Sequence, residues 1–291
     1  MIAAAIALAL AAAVLHGTWN VLAKVSADPM QTFQRGTLAA VLLSTPAVAV
    51  AWVWTGRPGL APAAAGLCAL SGALEVTYLW LLAAAYRRGE LSAVYPIARG
   101  TAPLLAVIVG LGLLNERLSA LQLAGVGLLL LGILTVTLSQ ATGRATVPAL
   151  LTGVAIAGYT AVDRVGVRLT TPWLYGWLLI VLMVAGIFAS KWVAARLASA
   201  RHPVRQERVA PAQIPGGRAQ AVLIGVFMWS GYLLVLWALS LAPLSVVAPV
   251  RESSVVGVAV WGVWRLRERR AVPMKLAGAV ATLVGVVMVA I

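Results

Sequence analysis

The chain reads as an all-α integral membrane protein: ten transmembrane helices arranged as two inverted five-helix repeats. Three observations predict this. Apolar residues make up 62% of the 291 positions and charged residues 10%, with a mean hydropathy of +0.97, whereas soluble domains carry about a quarter charged residues. Apolar runs near the roughly 20 residues that cross hydrocarbon as a helix recur along the whole length. The second half also repeats the first: Leu91-Ser92 matches Leu244-Ser245, Pro96 matches Pro249, Arg99 matches Arg251, Glu116-Arg117 matches Glu268-Arg269 and Ala124-Gly125 matches Ala277-Gly278, always at an offset of 152 or 153. Chance rarely produces an ordered series at so constant an offset.

The spans are expected at 2–24, 31–54, 62–86, 90–114, 119–139, 147–167, 173–198, 218–241, 244–266 and 272–291. The first lacks a basic leader and continues through His16-Gly17-Thr18-Trp19-Asn20 to Lys24, unlike a signal peptide. The second ends at Gly56-Arg57-Pro58-Gly59 and the third at Arg87-Arg88-Gly89-Glu90, both rich in turn residues. The fourth contains Pro96 and Arg99, and the fifth closes before Gly143-Arg144. The sixth holds Asp163-Arg164 near its end. The seventh leads into 199–217, a polar stretch (SARHPVRQERVAPAQIPGG) that reads as a linker before the eighth. The ninth carries Pro249, Arg251 and Glu252, and the tenth begins after a basic cluster. The repeats divide at 1–143 and 144–291 within one transmembrane domain.

Five spans per half is an odd number, so the second half must insert upside down relative to the first. Of the 22 Lys and Arg residues, 16 lie in or beside the connections after odd-numbered spans, and Arg57, Arg117, Arg164 and Arg168 belong to the other set. That alternation fits membrane orientation better than a nucleic-acid surface, and the charge rule would put both termini outside. The single Cys68 forms no intrachain disulfide. There is no GxxxxGK[ST] phosphate loop, no zinc-ligand spacing and no GxSxG nucleophile motif. No enzyme, cofactor or metal is expected.

HGTWNVLAK in span one, LSAVYPIARGTAPLL leading to NERLS around span four, GYTAVDRVG in span six and APLSVVAPVRESSVV in span nine together resemble the drug/metabolite transporter superfamily, specifically its ten-helix EamA-type members. The resemblance covers essentially the whole chain. It implies a secondary transporter or exporter of a small metabolite in the cell membrane, and it implies the opposite placement of the termini from the charge rule. Alternating access, a midplane site between the repeats and protons as coupling ion are the corresponding expectations. A facilitative uniporter and a non-transporting membrane scaffold are the alternatives. Partners are a small-molecule substrate and the lipid bilayer, and one chain can complete the pseudo-symmetric unit.

Ionisable groups at bilayer depth are expensive, so each needs a partner, a wet cavity or a role. Glu75, mid-span three, reads as a proton or cation acceptor, or else as a structural partner of Arg99. Arg99 and Arg251 sit just after matched prolines that can break their helices and expose carbonyls. They could bind an anionic substrate group, or lock the scaffold by pairing with Glu75, Asp163 or Glu252. Adjacent residues diverge by about 100°, so Arg251 and Glu252 are expected not to face one partner. Asp163 is a further coupling candidate, whereas Lys24 and Arg164 are expected to snorkel to the interface. His16, Trp19 and Asn20 share one helical face. With Tyr78, Tyr95, Tyr159, Trp229 and Tyr232 they are candidate cavity residues, while Trp52, Trp54, Trp173 and Trp264 read as interfacial anchors.

Overall fold

A computed structural model describes residues 1–24, 29–88, 91–138, 146–201, 217–254 and 272–291. Within them the helices are α1 (Ile2–Lys24), α2 (Pro29–Trp54), α3 (Pro62–Arg88), α4 (Leu91–Gly112), α5 (Ala120–Leu138), α6 (Thr146–Gly166), α7 (Pro172–Arg201), α8 (Gly217–Leu241), α9 (Leu244–Glu252) and α10 (Val272–Ala290). Their limits follow the apolar runs closely. The earlier starts of α2 and α7 fall on Pro29 and Pro172, because proline suits the first helical position: its missing N–H would have no partner there, and its φ is preset.

Seven helices (α1, α2, α3, α6, α7, α8 and α10) carry apolar stretches of 18 residues or more. In α4 and α5 the apolar stretches are shorter, Ile97–Gly112 and Ala120–Thr135. The ninth run is described only over Leu244–Glu252; its remainder, with Trp264 and Glu268-Arg269, lies outside the described residues, as does most of the 199–217 linker. The helix break expected at Pro96 does not form, whereas α9 ends at Glu252, three residues after Pro249, with Ser253 in a turn. Pro96 and Pro103 sit inside a continuous α4, and Pro249 inside α9. Proline deletes one hydrogen bond while the flanking bonds and the neighbouring helices hold the turn together.

The bundle is built from close pairs: α5 with α10, α3 with α6, α1 with α8, α4 with α6 and α9, α2 with α7 and α8, α3 with α7, and α1 with α9. Lipid tails are as apolar as leucine, so such pairs depend on backbone approach rather than on the hydrophobic effect. Two contacts show this. Where α2 crosses α8, a Cβ on Gly225 would lie 1.9 Å from the Gly36 carbonyl oxygen. Along α5 and α10, a Cβ on Gly285 would lie 2.6 Å from Gly125 O, and one on Gly132 would lie 2.6 Å from Gly278 O.

Gly225→Ala should therefore force α2 and α8 apart. Overpacking costs about 1–3 kcal/mol even where only side chains must give, and here the obstacle is backbone. A fall of several degrees in the detergent melting temperature is expected. Gly127→Ala, where nothing lies within 4 Å, should leave it unchanged.

Candidate functional site

Helices α1, α3, α6, α7 and α8 line a partly open cavity. Its polar and aromatic wall is His16, Trp19, Glu75, Tyr78, Tyr159, Trp229 and Tyr232, and Leu79, Leu179, Ile180, Met183 and Met228 belong to its apolar wall. Residues from both sequence halves contribute. The shared face of α1 holds as expected: the His16 ring lies 6.1 Å from Trp19 and 6.5 Å from Tyr232. His16 Nδ1 lies 2.9 Å from the Ala12 carbonyl, so that nitrogen carries the proton. Tyr78, Tyr159 and Tyr232 form an edge-to-face series with successive centroids 5.7 Å apart. The indole N–H groups of Trp19 and Trp229 have no hydrogen-bond partner among the described residues. The wall is therefore unfinished in its polar chemistry, as expected of a surface that meets something else.

Asn20 does not line this cavity. Its Nδ2 donates to His16 O at 2.8 Å, and its Oδ1 accepts from the Tyr86 hydroxyl at 3.1 Å, so it fastens α1 to α3. Tyr95 lies on α4, but its side chain is outside the described residues.

Three buried carboxyls have three different surroundings. Glu252 holds both matched arginines. Arg99 Nη1 donates to its two oxygens at 3.0 and 3.1 Å, and Arg251 approaches Oε1 through Nε at 2.9 Å and Nη2 at 2.7 Å. Arg251 Nη1 also reaches Thr160 Oγ1 at 3.4 Å. The expectation that Arg251 and Glu252 could not meet one partner is corrected, because they bind each other. Their Cβ atoms diverge, but the long arginine stem folds back over its neighbour. Neither arginine lines the cavity, so of the two roles left open for them the geometry supplies the lock.

Asp163 accepts from the Tyr175 hydroxyl at 2.8 Å through Oδ1 and from the Tyr232 hydroxyl through Oδ2. It sits behind the cavity and fixes Tyr232, which lines it. Glu75 differs from both. It is 5% exposed, forms part of the cavity wall, and makes no hydrogen bond or ion pair among the described residues. The Arg99 pairing weighed for it does not occur.

Sequence reasoning treated Glu116 only as a repeat marker. Asn115 takes a left-handed backbone (φ 51°), which asparagine tolerates, and this turn aims Glu116 at the start of α9. Its carboxylate accepts from Leu244 N at 2.7 Å, Ser245 N at 2.9 Å and Ser245 Oγ at 2.6 Å, satisfying orphan donors at the positive end of the helix. Arg164 Nε adds a bond at 3.3 Å while Nη1 donates to Leu239 O. The expected snorkelling of Arg164 is thus corrected, because a carboxylate and a helix-end carbonyl satisfy it inside the protein.

Glu116→Ala should cost about 1–2 kcal/mol from the lost cap alone. Arg164→Met should cost less, since Glu116 keeps its backbone donors. Detergent melting curves would rank the two.

Among the interfacial anchors, Trp52 and Trp54 are 39% and 86% exposed. Tyr175 and Tyr86 were missed. No pattern marks Tyr175, although the short turn from α6 to α7 brings it beside Asp163.

Residues 3–138 match the EamA-like transporter family. The match spans α1 to α5 and bears out the EamA-type resemblance read from the sequence. No curated protein matches. The fold is similar to that of a solved crystal structure at 13% identity, with a TM-score of 0.68 over 98% of this chain and 95% of the other. That likeness is one of fold alone. The match over residues 3–138 and the apolar helices together describe a multi-pass membrane protein.

Proposed function

We propose, from the premise that residues 3–138 are an EamA-like transporter unit, that the chain is a secondary transporter moving a small metabolite by alternating access. Its site is the cavity between the halves, and the observation that carries this reading is a Glu75 carboxyl with no ion-pair partner among the described residues, in a wall built from both halves. A buried carboxyl with no protein partner is suited to take up and release a proton or a cation in each cycle. Asp163 is already engaged by two phenols and acts as an anchor for Tyr232.

The packing supports the inverted arrangement. Exchanging each helix with the one five places along turns α3–α6 into α8–α1, α4–α6 into α9–α1, and α2–α8 into α7–α3, all of which are observed contacts. The pairs α5–α10, α4–α9 and α2–α7 map onto themselves. A two-fold axis in the membrane plane has this property.

The test is flux by purified protein in liposomes, with and without a pH gradient, across amino acids, sugars and organic amines. Accumulation driven by the gradient, lost in Glu75→Gln, is the expected result. Gradient-independent flux would leave a uniporter. No flux for any compound would return the chain to a scaffold.

A further inference from the structure

We propose that the cavity takes an organic monocation: a protonated amine on an apolar or aromatic body, with its ammonium against Glu75. The inference rests on the reading of this cavity as the transport site and names what that site accepts.

The first ground is charge. The buried charged side chains among the described residues are Glu75, Asp163, Glu252, Arg99 and Arg251. Three carboxyls against two guanidiniums leave one formal negative charge when all are ionised. A single cation balances it, and an anion would add to it. The second ground is position. Both guanidiniums are committed to Glu252 and neither lines the cavity, so among the described residues an anionic group would meet no guanidinium or ammonium there, only the His16 imidazole. It would also meet the Glu75 carboxyl, at low local dielectric where like charges repel strongly. Drawing an arginine out of its pair would strand Glu252, which is costly. The third ground is the lining. Trp19, Tyr78, Tyr159, Trp229 and Tyr232 present π-faces, which attract ammonium groups, beside an apolar wall that can hold the body.

The decisive experiment compares three ligands of one shape: 3-phenylpropylammonium, 3-phenylpropan-1-ol and 3-phenylpropanoate. Binding is measured by titration calorimetry on the full chain in nanodiscs, wild type against Glu75→Gln. The ammonium should bind, weaken at least tenfold in Glu75→Gln, and exceed the alcohol in wild type only. The carboxylate should give no binding. Carboxylate binding as tight as the ammonium, or ammonium binding unchanged in Glu75→Gln, overturns the inference.

A cavity-filling variant, Met183→Trp, or Met228→Trp should the first not fold, locates the fault. If it abolishes whatever binding remains, the cavity stands as the site and only its charge preference falls. If it leaves binding intact, or if none of the three ligands binds wild type, the site itself is overturned as well.

Discussion

Replacing Glu252 with glutamine is expected to be the most destabilising single change in this protein. The side chain is fully buried and is the shared counterion of Arg99 and Arg251. Glutamine preserves the shape and one acceptor oxygen, but removes the carboxylate that both guanidiniums contact, leaving them opposed only by Glu75 and Asp163, which form no ion pair with either. Removing one partner of a buried ion pair costs about 3–5 kcal/mol, and here one substitution strands two. A fall in detergent melting temperature of roughly 6 °C or more is expected, with loss of monodisperse protein. Arg99→Met should be milder, because Glu252 keeps Arg251. A melting temperature unchanged in Glu252→Gln would mean that the triad contributes nothing to stability.

Glu75→Gln should behave in the opposite way. The Glu75 carboxyl has no ion-pair partner among the described residues, so glutamine breaks no contact and relieves the cost of keeping an ionisable group at bilayer depth. The melting temperature should hold or rise. Flux should fall at least about tenfold, since losing a buried charge contact with a ligand costs about 2–5 kcal/mol. Functional sites often trade stability for activity in this way. The pair of variants separates two buried glutamates: one expected to hold the bundle together, the other expected to serve what enters it. Equal destabilisation in both would dissolve that distinction.

Much of the fold was legible because bilayer thickness sets helix length, so the apolar runs located α1 through α8 and α10 closely. The kinds of residue at the site were legible for the same reason: an ionisable or aromatic side chain amid alanine and leucine stands out. Partner choice was not. Arg99 meets Glu252 across 153 residues, and only the crossing of α4 and α9 brings them together. The helical-wheel argument that separated Arg251 from Glu252 considered Cβ directions and neglected the reach of an arginine. Glu116 was visible as a repeat marker, but its task depends on the left-handed turn at Asn115, which spacing does not reveal. Asn20 was placed on the correct face, yet its amide is taken up by α1 and Tyr86.

The glycine seam between α5 and α10 limits how the molecule can move. Gly125 faces Gly285 and Gly132 faces Gly278, with no room for even a Cβ between the backbones. A slip of one residue is about 1.5 Å along the axis. It would carry Leu129 or Thr282, already flanking these contacts, into the opposing main chain. The seam therefore blocks sliding of α5 along α10, so a motion of the kind proposed above would have to tilt about it.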